Sequence, residues 1–74
     1  MAEYTVQFNW DSEAAVWYTT SEDVPGLILE SGSLDALIER VKIALPDLLE
    51  LNSMDNADQL SIHFTSDRRD IVAM

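Results

Sequence analysis

Strict alternation of apolar and polar residues near the start of the chain constrains the fold more than any other sequence feature. A period of two predicts a half-buried strand over residues 4–10. A polar turn at 11–14 and a second β-rich run at 15–20 extend this strand to a β-hairpin. The turn contains no glycine, so any left-handed position there must hold a residue with a Cβ, at about 1–2 kcal/mol. The apolar positions are Tyr4, Val6, Phe8 and Trp10, and the polar ones are Thr5, Gln7 and Asn9.

A second turn follows the hairpin at Val24, Pro25 and Gly26. Proline fixes φ at the first central position of a type II turn, and glycine allows the positive φ required at the second. Residues 27–30 predict a short third strand, which the Ser-Gly-Ser sequence at 31–33 ends. Ser33 is a favourable N-cap, so we expect a helix to begin directly after it.

Apolar residues then recur at helical spacing from Leu34 to Leu48. Pro46 removes one helical N–H, but apolar residues continue beyond it, which predicts one kinked helix ending near Leu51. A polar loop at 52–58, a fourth strand at 60–65 and a turn at 66–69 complete the pattern. The apolar tail at 71–74 is either a fifth edge strand or an interface arm. The order ββ-β-α-β predicts an α+β domain, with a mainly antiparallel sheet that receives the kinked helix on one face.

Charge and size restrict the possible partners. The chain has 74 residues and a net charge of −10, and residues 1–39 contain eight acidic residues but no Lys or Arg. Direct binding to nucleic acid or to anionic membranes is therefore not expected. No signal peptide or membrane span is apparent, so we expect a cytoplasmic protein. A single domain this small, without cysteine, gains stability most readily by association, and a homodimer is expected.

Candidate chemistry is sparse. The turn carboxylates Asp11, Glu13, Glu22 and Asp23 could bind a cation, but acidic side chains in surface turns also favour solubility alone. The single histidine, His63, is expected to point away from the core. No catalytic motif and no Ca²⁺-loop pattern occurs, so we expect no catalytic residue, no metal and no cofactor. The Arg68–Arg69 pair is expected to neutralise charge within the fold.

Apolar residues outside the predicted core indicate possible contact surfaces. Ile43 lies roughly opposite the apolar stripe of the helix, and Leu49 and Leu51 add apolar surface around Pro46. These three residues either form a partner interface or are buried by the kink. In the tail, a dimer interface is expected at Ile71, Val72 and Met74. Trp17 and Tyr18 are strand neighbours and point to opposite faces, so one of them should be less buried.

Three segments carry a family resemblance: the run from Tyr4 to Glu13 with Val16 and Trp17, the run from Thr20 to Leu27, and the run from Ser33 to Glu39. Together they resemble the HicB-like antitoxin domain, and more closely a related family of short stand-alone bacterial proteins of unassigned function. The resemblance extends over roughly residues 4–51. It implies a partial ribonuclease-H-like fold. Such antitoxins usually carry a separate DNA-binding domain as well, but we expect a single domain over 1–74, which leaves no room for one. Ala14 and Ala15 stand where the family often has glycine.

The resemblance also implies a role. HicB-like antitoxins typically dimerise, and they bind and occlude a small basic toxin that cleaves messenger RNA. The ribonuclease-H site needs convergent carboxylates, whereas Gln7 and Asn9 occupy the open strand face here. We therefore expect a non-enzymatic antitoxin-like module that binds a small basic toxin through Asp11, Glu13, Glu22 and Asp23, with apolar contacts from the helix. A structural homodimer without a toxin, formed through residues 71–74 and the sheet edge, is the alternative. A metal-dependent nuclease remnant is a third hypothesis.

Overall fold

The protein is a four-stranded mixed sheet with one helix on one face, seen in a computed structural model that describes residues 2–51 and 59–74. The elements are β1 (Ala2–Asp11), β2 (Val16–Thr20), β3 (Glu30–Ser31), α1 (Leu34–Leu51) and β4 (Leu60–Asp67). The strand order is β3-β2-β1-β4. The β1–β2 and β2–β3 pairs are antiparallel, and β1–β4 is parallel. The predicted α+β class and ββ-β-α-β order are confirmed. The predicted loop at 52–58 lies outside the described residues.

The core lies between α1 and the apolar side of β1 and β2. Val6 and Phe8 on β1 are fully buried against Leu37, Val41 and Leu45 of the helix. The predicted alternation in β1 is thus confirmed. The helix runs without interruption through Pro46 to Leu51, as expected. On β4, Phe64 stacks on Phe8 with 5.4 Å between ring centroids, which ties the last strand to the core.

Both predicted turns and the predicted helix cap are present. Gly26 has a φ of 85°, and the Leu27 N–H donates to the Val24 carbonyl at 3.4 Å. Ala15 occupies the left-handed position of the hairpin, with a φ of 54°. Ser33 caps α1, because its Oγ accepts a hydrogen bond from the Ala36 N–H at 3.3 Å.

The third strand differs from its prediction. It comprises Glu30 and Ser31, whereas residues 27–30 were expected and Ser31 was expected to end the strand. The cause is Thr19, a buried residue of β2 whose Oγ1 accepts from the Leu29 N–H at 3.0 Å and donates to the Leu27 carbonyl at 3.2 Å. The Thr19 N–H still donates to the Leu29 carbonyl at 3.0 Å, but the hydroxyl takes the reciprocal bond from the Leu29 N–H. The segment before Glu30 therefore follows β2 without forming a strand.

Three further boundaries are corrected. The second strand begins at Val16, because Ala15 still belongs to the turn. The fourth strand continues to Asp67 through part of the predicted turn, because it pairs with β1 along its whole length. Residues 68–74 form no strand, so the tail is not a fifth edge strand.

Candidate functional site

The side of the sheet opposite α1, called the open face here, is the most extensive polar surface that the strands create. Alternation in β1 directs the odd-numbered residues to this side, and the strand register places their neighbours beside them. Asn9 lies opposite Tyr18 on β2, while Thr5 and Gln7 lie beside His63 and Thr65 on β4. The open face therefore carries hydroxyl, amide and imidazole groups in its centre.

Two hydrogen bonds order the centre of the open face. Gln7 Nε2 donates to Asn9 Oδ1 at 3.0 Å, and Asn9 Nδ2 donates to Thr20 Oγ1 at 3.0 Å. These residues are neutral and cannot serve as carboxylate ligands for a divalent cation. Among the described residues, no group of three or more His, Asp or Glu is placed to hold a metal ion. His63 is exposed on this face, as predicted.

The four turn carboxylates predicted to bind a partner lie at two opposite ends of the open face. Asp11 and Glu13 are at the hairpin tip, whereas Asp23 contacts Thr5 near the start of β1. Six residues of extended strand separate Thr5 from Asp11, which corresponds to about 20 Å. These carboxylates therefore do not form one cluster, because the tip of the antiparallel hairpin and the loop after β2 lie at opposite ends of the paired strands.

Two of the four carboxylates also stabilise the fold. Asp11 Oδ1 accepts from the N–H groups of Glu13 and Ala14, at 3.0 and 3.2 Å. Asp23 Oδ2 accepts from the Thr5 N–H at 2.8 Å. The side chains of Glu13 and Glu22 make no hydrogen bond or ion pair within the described part of the chain. Glu13 and Glu22 are therefore the more available for a partner.

Three further carboxylates belong to the open face and were not singled out from the sequence. Glu3 lies on β1 near the loop that contains Glu22, while Glu30 and Asp67 pair with Tyr18 and Asn9 toward the hairpin tip. Strand alternation gives the signal for Glu3 and Asp67, because both share the side of Gln7 and Asn9. The acidic ends of the open face are its hairpin-tip end and its loop end. The first contains Asp11, Glu13, Glu30 and Asp67, and the second contains Glu3, Glu22 and Asp23.

The apolar residues predicted at the helix do not join this surface. Leu49 is 2% exposed and belongs to the core, so it is not an exposed contact residue. Of the two alternatives, a partner interface or burial, Leu49 is buried. Ile43 and Leu51 are exposed, at 72% and 80%. Since the stripe of α1 faces the sheet, Ile43 points away from the open face and cannot contact the same flat partner.

Apolar surface on the open face comes instead from β2 and the segment that follows it. Tyr18 is 40% exposed and Trp17 is buried, which confirms that the two neighbours differ. Ile28 is largely exposed and lines a depression together with Val16, Tyr18 and Glu30. Aromatic side chains are enriched in protein contact surfaces, and the rims of such surfaces are polar, as they are around Tyr18 and Ile28.

Of the two arginines after β4, Arg68 does not lie on the open face. The Arg68 guanidinium lies 3.9 Å from the ring centroid of Trp10, on the helix side of the sheet, and its Nε pairs with Asp70 at 3.0 Å. Trp10 in turn packs against Trp17. Arg68 thus covers the aromatic end of the core, which agrees with the expected neutralisation of charge within the fold.

The fold and its open face define a small α+β domain with an acidic polar surface and no transmembrane helix among its described residues. The chain belongs to the family described as "domain of unknown function (DUF1902)", which it matches over residues 3–74. It is similar to the crystal structure of a hypothetical protein from the extremely thermophilic bacterium Thermus thermophilus. The two are 33% identical with a TM-score of 0.81, covering 95% of this chain and 99% of that one. No curated protein matches the chain significantly.

Proposed function

We propose that the chain is a non-enzymatic, antitoxin-like module of the cytoplasm that binds and occludes a small basic protein of the mRNA-cleaving toxin type. One observation carries the proposal. The strands that form the open face contain carboxylates but no Lys or Arg, and the four Lys and Arg residues lie on α1 or after β4. The motif run from Tyr4 to Glu39, with its resemblance to HicB-like antitoxins, supports the choice of partner.

Binding would combine two physical effects on one surface. The acidic ends of the open face produce a negative potential that attracts a cationic protein and accelerates the first encounter. Tyr18 and Ile28 supply the apolar contacts that slow dissociation after docking. The uncharged centre, with Gln7 and Asn9, provides hydrogen-bond donors and acceptors without a further charge to desolvate. Occlusion requires no reaction by this chain.

Isolation of the partner is the direct test. Tagged chain is used to capture proteins from the native host at low salt, and a captured basic protein is then purified and assayed for RNA cleavage. We expect cleavage to fall in proportion to the amount of chain added. Recovery of no small basic protein, or a captured protein whose activity is unaffected, would count decisively against the proposal.

Two matched variants test whether the acidic ends guide association. Replacing Glu13→Gln and Glu22→Gln removes two charges that make no described contact. Replacing Asp47→Asn and Glu50→Gln removes the same charge from the exposed side of α1. We expect the first pair to slow association with the basic partner severalfold and to reduce its dependence on salt. The second pair of replacements should slow association less than the first. Equal slowing by both pairs would show that net charge alone, and not its position, controls the association rate.

A structural homodimer without a toxin is the second candidate, and the exposed tail favours it. Ile71, Val72 and Met74 are almost fully exposed, which is unfavourable for apolar side chains in a monomer. Deletion of residues 71–74 followed by measurement of the mass in solution tests this role. A dimer that becomes a monomer supports the tail as an interface arm, whereas an unchanged dimer rejects it.

A further inference from the structure

The outer edge of β4 offers hydrogen-bonding backbone along a whole strand. This strand has eight residues and pairs with β1 on one side, and no described residue pairs with its other side. Along an edge strand, alternate residues direct their N–H and C=O groups outward. Over eight residues this edge is about 26 Å long. It is therefore long enough to pair with another strand.

The two edges of the sheet differ in how they are protected. The β3 edge has two residues, and Arg40 Nη1 on α1 donates to the Glu30 carbonyl at 2.7 Å. The β4 edge has no proline or lysine, and its one formally charged residue is Asp67 at the end of the strand. Short length and a covering side chain discourage pairing at β3, and the described residues place nothing comparable at β4.

Charge indicates which partner fits the β4 edge. In a chain with a net charge of −10, residues 60–66 carry no formal charge at neutral pH. A strand from a basic protein would meet a carboxylate of β4 only at Asp67, at one end of the strand, whereas the acidic ends of the open face would attract it elsewhere. Two copies of this chain can approach each other through a neutral edge without placing their carboxylates in contact. The edge therefore suits a second copy.

We propose that two copies associate through antiparallel pairing of their β4 strands, centred on His63. A two-fold axis perpendicular to the sheet would then keep both helices on one side and form a continuous eight-stranded sheet. Ile62 of each copy would lie opposite Phe64 of the other on the helix side, and both side chains are only half-buried in the single chain. The two Asp67 residues would lie at opposite ends of the contact. This assignment does not depend on the basic partner proposed above.

The absence of cysteine makes cross-linking a sharp test, because one introduced cysteine reports one position. Directly opposite residues in an antiparallel pair have Cβ atoms about 4.5–5.5 Å apart, close enough for a disulfide after small adjustment. We expect the His63→Cys variant to form a covalent dimer rapidly under mild oxidation. The Ile43→Cys variant, with its thiol on the exposed side of α1, is the matched control and should form it slowly. Equal rates for both variants would overturn the proposal.

Sedimentation equilibrium of the natural, cysteine-free chain and of charge variants completes the test. We expect concentration-dependent dimerisation of the natural chain. The His63→Glu variant should weaken it at least tenfold, because two carboxylates then face each other at the axis. The Ile43→Glu variant adds the same charge on α1 and should dimerise normally. Circular dichroism verifies that both variants fold. A monomeric natural chain would overturn the proposal, as would a dimer lost on deletion of residues 71–74 but retained in His63→Glu.

Discussion

At the scale of single residues, Ala15 has an unfavourable backbone conformation that glycine would relieve. Its φ of 54° lies in the left-handed region, and the residue is exposed at the hairpin turn. We expect Ala15→Gly to raise the free energy of unfolding by about 1 kcal/mol, because the clash of the Cβ disappears. Chemical denaturation measures the change. The neighbouring Ala14→Gly variant is the control and should be neutral or destabilising, since Ala14 has no positive φ. Equal stabilisation by both variants would contradict this explanation.

Thr19 is a buried polar residue whose hydroxyl holds the segment before β3 against β2. Its Oγ1 satisfies the Leu29 N–H and the Leu27 carbonyl. We expect Thr19→Val to lower the free energy of unfolding by about 1–3 kcal/mol, because valine has the same shape but leaves both backbone groups without this partner. Thr20→Val, on the exposed face of the same strand, should cost less than about 1 kcal/mol. Thermal denaturation of both variants provides the comparison, and a larger loss at Thr20 would refute the role of Thr19.

At the scale of elements, the end of α1 contains a core residue and a surface residue only two positions apart. Leu49 is 2% exposed and Leu51 is 80% exposed. We expect Leu49→Ala to cost about 2–5 kcal/mol, because it leaves a cavity in the core. Leu51→Ala should change stability by less than about 0.5 kcal/mol. Urea denaturation measures both values. Similar values for the two variants would mean that the helix end packs differently from the structure.

The elements themselves were largely predictable because their hydrophobic periods are clear. Period two in β1 and the helical stripe of α1 each identify one buried face without any tertiary information. The length of β3 was not predictable, because it depends on a hydroxyl of Thr19 that meets residues 27–29 only in the folded chain. The burial of Leu49 was likewise not predictable. Leu49 follows Pro46, which interrupts the apolar pattern of the helix, and its burial depends on where the end of α1 lies on the sheet.

The candidate site was predictable in its chemistry more than in its arrangement. The acidic excess of residues 1–39 is visible directly in the sequence, and the neutral centre follows from Gln7 and Asn9. The separation of Asp11 from Asp23 could have been inferred from the hairpin, since its two ends are far apart. The inclusion of Asp67 required the parallel pairing of β1 with β4, which brings it beside Asn9. Pairing between strands distant in sequence is set by the whole fold.

At the scale of the whole molecule, repulsion between carboxylates opposes folding. The described residues form two ion pairs, Glu39–Lys42 and Arg68–Asp70, and both are exposed. Exposed pairs contribute little, so they offset only a small part of the repulsion from a net charge of −10. The compact state brings the acidic ends of the open face closer together than the unfolded chain does. Salt should therefore stabilise the folded chain.

The melting temperature of the chain should depend on salt concentration. We expect the melting temperature to rise by several degrees between about 20 mM and 500 mM NaCl, because the screening length shortens from roughly 20 Å to 4 Å. A Glu13→Lys and Glu22→Lys variant moves the net charge from −10 to −6, since each replacement removes one negative charge and adds one positive charge. Its melting temperature should be higher at low salt and less sensitive to NaCl. Calorimetry of both proteins makes the comparison. A melting temperature that falls with salt would contradict this prediction. It would show that attraction within local ion pairs stabilises the fold more than repulsion between carboxylates destabilises it.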